Sequence, residues 1–164
     1  CIRDREFAAE LTRVHQQLRK QQSKLDEQEH FDLLRGLRFF HDFSHGEIRE
    51  LMRAGEWRAF EAGQEIVKEG DLDDRFYIIV EGRVNVNTGG RVVGSMASGE
   101  CFGETSYVTD ATRAASIKAH EAVTLLRLSS TMLETLSTAC QLRFNRVFLR
   151  SLISRLQGGS ASPG

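Results

Sequence analysis

The chain begins with polar residues among which apolar ones recur at helical spacing. Phe7, Leu11, Val14, Leu18 and Leu25 follow one another at steps of four, three, four and seven, one narrow stripe on a helix. Gln21 stands where the next stripe residue belongs, and no Gly or Pro interrupts the segment. Residues 1–30 are therefore predicted as a connecting helix. Its stripe has two readings: a short two-helix coiled coil across a dimer, or a helix lying against the following domain, as the tail of an upstream domain would.

A dense apolar cluster comes next, with Phe31, Leu33, Leu34, Leu37, Phe39, Phe40 and Phe43. It predicts a short helix and a turn around Gly36. Ser44 precedes Glu47 by three positions, ahead of Ile48, Leu51 and Met52, which is the capping-box pattern of a further helix. From Gly55 to Leu128 the period changes to short β-type runs punctuated by Gly and Asp. The runs are 57–60, 65–67, 76–80, 84–86, 92–96, 114–119 and 123–128, with Gly89-Gly90 as a two-residue hairpin turn. Counting the stretch that opens at Gly99, turns at this spacing predict eight short strands in an antiparallel barrel or jelly roll. Helical spacing returns at the end. Ser130 or Thr131 can cap a helix, Thr131 with Glu134 three positions on, and a second helical stretch carries Phe144, Val147, Phe148, Leu152, Ile153 and Leu156 to about Gln157. Residues 158–164 form a low-complexity tail expected to be disordered. The fold class expected is α+β: an eight-stranded antiparallel β-barrel (jelly roll) flanked by N-terminal and C-terminal helices, with the globular domain over residues 31–157.

Composition narrows this picture. At 164 residues, 40% hydrophobic and 27% charged, the chain has room for one domain plus an appended segment and a normal core. A net charge of −1 argues against a nucleic-acid-binding surface over the whole chain. No run approaches the roughly 18 apolar residues of a membrane helix, and the start has no signal-peptide pattern. The three cysteines, Cys1, Cys101 and Cys140, are scattered, which suits a reducing, cytoplasmic setting better than a disulfide framework or a zinc site. Because the chain opens on Cys1 and not Met, it reads as a piece of a longer protein.

Candidate chemistry concentrates in residues 99–116, Gly-Glu-Cys-Phe-Gly-Glu-Thr-Ser-Tyr-Val-Thr-Asp-Ala-Thr-Arg-Ala-Ala-Ser. Gly103 permits close backbone approach to a ligand. Glu104 can accept from sugar hydroxyls. Residues 105–108 suit one helical turn whose free N–H groups would point at an anion. Arg113, nine positions beyond Glu104, can return as a fork-shaped donor to a phosphate. A ligand with a ribose-like hydroxyl and a compact phosphate would satisfy all of them; the plainer alternative is a turn with a surface Arg–Glu pair. His41 and His45 have no third ligand nearby and read as solvent-facing residues at a helix start. With no nucleophile–base pair, Walker loop or metal cluster at motif spacing, the chain reads as non-catalytic.

Three motifs together resemble the cyclic nucleotide-binding domain family over residues 31–157. They are Phe60-x-x-Gly63-x-x-Ile66-x-x-Glu69-Gly70-Asp71, followed by Asp74, Tyr77-Ile78-Ile79 and Gly82; then Phe102-Gly103-Glu104; then Arg113-Ala114-Ala115-Ser116-Ile117. The nine-residue step from Glu104 to Arg113 is similar to the phosphate-binding cassette of protein kinase A regulatory subunits. The resemblance implies that Glu104 accepts from the ribose 2′-hydroxyl and that Arg113 binds the exocyclic oxygens of the cyclic phosphate. Backbone N–H groups near Gly103, Thr105, Ser106 and Ala114 would complete the cradle. Members that prefer cGMP often place Thr where this chain has Ala114, so the resemblance implies cAMP, with cGMP as second choice and no metal. Thr105, Ser106 and Tyr107 depart from the usual small or apolar cassette residues. Val84 and Val92 lie on strands that could wall the base.

The function implied is a regulatory sensor module of bacterial type. Ligand binding would move its helices and signal to an effector domain outside this chain. Residues 5–11 bear a short resemblance to the trailing end of a bacterial Ser/Thr kinase domain, so a Ser/Thr kinase is one such effector. The alternative is an interaction or dimerisation domain of the same fold with an unused pocket. A homodimer through the terminal helices is open. Members of the catabolite activator type carry a DNA-binding region after the last helix; the seven mostly small residues after Gln157 lead us to expect no nucleic-acid partner and no membrane segment here.

Overall fold

Strand β3 (Phe76–Glu81) sits at the centre of the molecule, because its first five residues are all buried. A computed structural model describes residues 2–103 and 112–157. In chain order come helix α1 (Ile2–Arg35), a 3-10 turn (Arg38–Phe40) and α2 (His45–Ala54). The strands are β1 (Glu56–Phe60), β2 (Glu65–Val67), β3, β4 (Arg83–Thr88), β5 (Arg91–Ala97), β6 (Cys101–Phe102), β7 (Ser116–Ala119) and β8 (Val123–Leu128). Two helices follow, α3 (Ser130–Leu133) and α4 (Thr138–Gln157).

Among the described residues the eight strands form two four-stranded antiparallel sheets, ordered β1-β8-β3-β6 and β2-β7-β4-β5. The expected jelly roll is thus present as two facing sheets and not as a closed barrel. Gly89 and Gly90 both have positive φ, 59° and 81°, as a tight hairpin turn between β4 and β5 demands.

Side-chain alternation along β3 divides the interior in two. Phe76, Ile78 and Val80 face the helices and join Phe31, Phe39, Phe40, Phe43, Leu51, Phe144 and Phe148. Tyr77 and Ile79 face the second sheet and join Val84, Val86, Ile117 and Leu125. The aromatic stripe of α4 is therefore core.

Helix α2 starts as its pattern requires. Ser44 Oγ accepts from the Glu47 N–H at 3.2 Å while the Ser44 N–H donates to Glu47 Oε1 at 2.9 Å. Elsewhere the local pattern misleads. No separate short helix begins at Phe31: α1 continues to Arg35, since nothing breaks it before Gly36 and Phe31 and Leu34 are pulled into the core. The cap of α3 is Ser129, whose Oγ accepts from the Met132 N–H at 3.2 Å, one residue ahead of the expected position. Helix α4 is tied to α2 through Glu50, which accepts from the N–H of Ser137 at 2.8 Å and from its hydroxyl at 2.9 Å.

Candidate functional site

Among the described residues, Glu47 and Arg113 are the buried charged side chains. Arg113 is only 6% exposed, and its main chain is pinned before its side chain does anything. Its N–H donates to the Asp71 carbonyl at 2.8 Å, and its carbonyl accepts from the Gly70 N–H at 2.9 Å. Three residues on, Ser116 Oγ accepts from the Glu69 N–H at 2.9 Å. The Glu69-Gly70-Asp71 turn thus clamps residues 113–116 at both ends.

Side-chain partners come from the approach to β3. Arg113 Nη2 donates to the Arg75 carbonyl at 2.5 Å and lies 3.5 Å from Asp73 Oδ2. Asp73 is itself oriented: Oδ1 accepts from the Arg75 N–H at 3.0 Å and Oδ2 from the Tyr77 hydroxyl at 2.8 Å. The Tyr77 ring lies 5.6 Å from the guanidinium carbon and stacks on Phe102 at 4.8 Å. Burial, reinforced by the hydrogen bond to Asp73, pushes the Tyr77 phenol up to about 12, so it remains a neutral donor near neutral pH.

Gly103 closes the other side. It ends β6 with φ +91°, and a Cβ there would stand 2.6 Å from the Arg75 carbonyl and run into the Arg113 guanidinium. Only glycine lets the strand end rest against the arginine. Among the described residues, Arg113 Nε has no hydrogen-bond partner. The arrangement is a buried cationic fork with donor capacity to spare, suited to an oxyanion.

Of the expected site residues, the structure brings Gly103 and Arg113 into contact and leaves Ala114 exposed beside them. Glu104, Thr105 and Ser106 lie outside the described residues, as does Tyr107. Val84 and Val92 lie on strands β4 and β5 as expected; Val84 is wholly buried between the sheets, and Val92 is 65% exposed on the edge strand β5. Sequence reasoning missed Asp73; the signal available was an acidic residue four positions before a strand tyrosine, within reach of its hydroxyl. His41 is exposed, and His45 sets its ring edge-on to Phe31 at 5.3 Å. Among the described residues no group of three His, Cys, Asp or Glu side chains could hold a metal ion, and no helix is long and apolar enough to cross a membrane.

The sequence profile of the cyclic nucleotide-binding domain matches residues 57–139, just over half of the chain, spanning β1 to the start of α4. The chain belongs to the cyclic nucleotide-binding domain family. A cGMP-dependent protein kinase of Toxoplasma gondii is 30% identical over 115 residues, 70% of this chain and 12% of that protein. A cAMP-dependent protein kinase regulatory subunit of Mucor circinelloides f. lusitanicus is 45% identical over 65 residues, 37% of this chain and 15% of that protein. A solved cyclic nucleotide-binding domain from Methylobacillus flagellatus superposes with a TM-score of 0.68 at 25% identity, covering 80% of this chain and 79% of that one. The chain thus spans 12% and 15% of the length of the two curated relatives, as one regulatory domain of a cyclic nucleotide-binding protein would.

Proposed function

We propose that this domain binds a 3′,5′-cyclic nucleotide, cAMP in preference to cGMP, between Gly103 and Ala114. Its occupancy passes through the helices to an effector outside this chain. The observation that carries the reading is the sealed Arg113 fork against Gly103, with Nε unpartnered among the described residues. A cyclic phosphate is a compact monoanion that one such fork can neutralise. Glu104 takes the ribose 2′-hydroxyl, and the N–H groups near Gly103, Thr105, Ser106 and Ala114 complete the cradle.

Asp73 and the Arg75 carbonyl hold the fork in place, which offsets the cost of burying a charge. The phosphate engages the donors that these two leave open. The two curated relatives are named one for cAMP and one for cGMP, so the preference for cAMP rests on Ala114, which offers no hydroxyl to a guanine. Closure of α4 over the base is the output motion, and the extent of the switch follows from the difference in affinity between the two helix positions. A protein kinase is the effector that both relatives' names suit, a Ser/Thr kinase by the short resemblance of residues 5–11.

Titration calorimetry on this chain with cAMP and cGMP tests the reading. The expected outcome is tighter binding of cAMP and a loss of about 100-fold in affinity for Arg113→Ala, the scale of a charge-assisted bidentate contact. Unchanged affinity in that variant overturns the site. Ligand at 100 times its Kd adds about 2.7 kcal/mol of stability. Absence of any thermal shift with millimolar cAMP or cGMP leaves the interaction-domain alternative standing.

A further inference from the structure

Helix α1 runs far beyond what the domain holds. All of residues 3–29 are exposed, and only the stretch from His30 onward is drawn toward the core. That exposed run is about 40 Å long at the usual helical rise. In water most helical stability comes from packing an apolar face, yet Phe7, Leu11, Val14, Leu18 and Leu25 are 43–64% exposed.

These residues obey a heptad. With Leu11, Leu18 and Leu25 at a, the d positions are Phe7, Val14, Gln21 and Gln28. In the same register Glu27 and Leu34 fall at c, His30 at f and Phe31 at g. These residues meet the domain, as does Leu33 at b: Phe31 and Leu34 enter its core with Leu33 packed against it, His30 stacks on Trp57 at 3.8 Å, and Glu27 pairs with Arg53 at 3.6 Å. The domain therefore sits on the side of α1 turned away from the a/d seam, which is open along its whole length.

We infer that α1 pairs with α1 of a second copy of this chain as a parallel, in-register, two-stranded coiled coil over residues 7–28. Charge complementarity selects a copy of itself. Parallel pairing sets g of one helix against the following e of the other, which matches Lys24 with Glu29, Glu10 with His15 and Gln17 with Gln22, with no like-charge pair. Parallel register also sets each seam layer against itself. Gln21 then meets Gln21 of the second copy, and the two amides donate and accept across the seam. An antiparallel pairing centred on the same stripe sets Gln21 against Leu11 and buries an amide without a partner. The dimer carries both domains at the same end of the coiled coil, which gives α1 a reason to be long.

Analytical ultracentrifugation of the whole chain tests this. The expected result is a dimer at micromolar concentration that Leu11→Glu/Leu18→Glu converts to a monomer. The domain stays folded by near-ultraviolet circular dichroism, because neither residue touches its core. Lys24→Glu weakens the dimer by about tenfold, and Lys24→Glu/Glu29→Lys restores it, since both pairs of the symmetric dimer are first made repulsive and then mended. In a Cys1→Ser background, Leu18→Cys oxidises to a covalent dimer, which the antiparallel pairing, setting Leu18 against Val14, does not allow. A wild-type chain that is monomeric up to about 100 µM overturns the proposal, since dimers of this kind depend on protomer concentration. A dimer that survives Leu11→Glu/Leu18→Glu also overturns it, placing the interface elsewhere, with the exposed Leu142, Leu149 and Ile153 of α4 the next place to look. Failure of Leu18→Cys to cross-link overturns the parallel register.

Discussion

The two faces of β3 are built from different materials. On the helix side Phe76 lies 6.0 Å from the rings of Phe39 and Phe144 and 5.1 Å from Phe148. Phe39 comes from the 3-10 turn and Phe144 and Phe148 from α4, which is tied to α2 by Glu50 to Ser137 and Arg143 to Glu47. On the sheet side Ile79 sits among Val84, Val86, Ile117 and Leu125, short branched chains on strands locked by ladder hydrogen bonds. That side also carries the polar chain Tyr77–Asp73–Arg113. Aromatic rings on separate helices can repack as units; branched chains on paired strands keep their places. Under the proposed function, the side that positions the ligand is the stiff one, and the side that moves is made of rods. The five buried residues of one strand, Phe76 to Val80, join them.

Breaking each face in turn measures how far they are separable. The largest effect is expected from Phe76→Ala, which empties the centre of the aromatic cluster and costs about 3–5 kcal/mol, read from urea unfolding. If the faces act separately, the folded fraction keeps its affinity for cAMP to within about threefold, well under the tenfold that 1.4 kcal/mol would produce. An affinity that falls in step with stability makes them one unit.

Gly103→Ala attacks the other face. Its Cβ meets the Arg75 carbonyl and the Arg113 guanidinium at a φ of +91°, so the fork must shift. Calorimetry should show a loss of about tenfold or more in cAMP affinity, against a stability loss of about 1–3 kcal/mol from backbone strain. Unchanged affinity removes Gly103 from the cradle.

Tyr77→Phe is the finest cut. It deletes one hydroxyl and leaves Asp73 short of a donor, for about 1 kcal/mol. The phenol sits at about 12 in the folded protein against an ordinary value of 10. Folding therefore holds this proton more tightly than the unfolded chain does. The associated stability is fully present below pH 10 and is lost as pH rises from 10 toward about 12. Denaturation at stepped alkaline pH should show a shallower decline in the variant; an identical decline means that Tyr77 does not carry the alkaline limb.

Local chemistry was enough to write the elements into the chain. Ser44 and Glu47 commit a helix start because each side chain satisfies the other's backbone N–H three residues away. Gly89 and Gly90 commit a hairpin because both adopt positive φ without strain. The alternating and buried runs commit the strands, and the spacing of Gly103 and Arg113 points at an anion before any coordinates exist. What the tertiary structure alone decided lies between residues far apart in the chain. It carried α1 past residue 30, because burial of Phe31 and Leu34 outweighs the expectation of a new element there. It sent Val84 inward and left Val92 on an open edge. It placed the Arg75 carbonyl on an arginine 38 positions later and, beside it, the Asp73 carboxylate on the same guanidinium. Caps and turns are settled within three or four residues, where side chain and backbone are covalently near. The setting of a buried charge depends on which distant strands fold over it, and no short window of the chain contains that information.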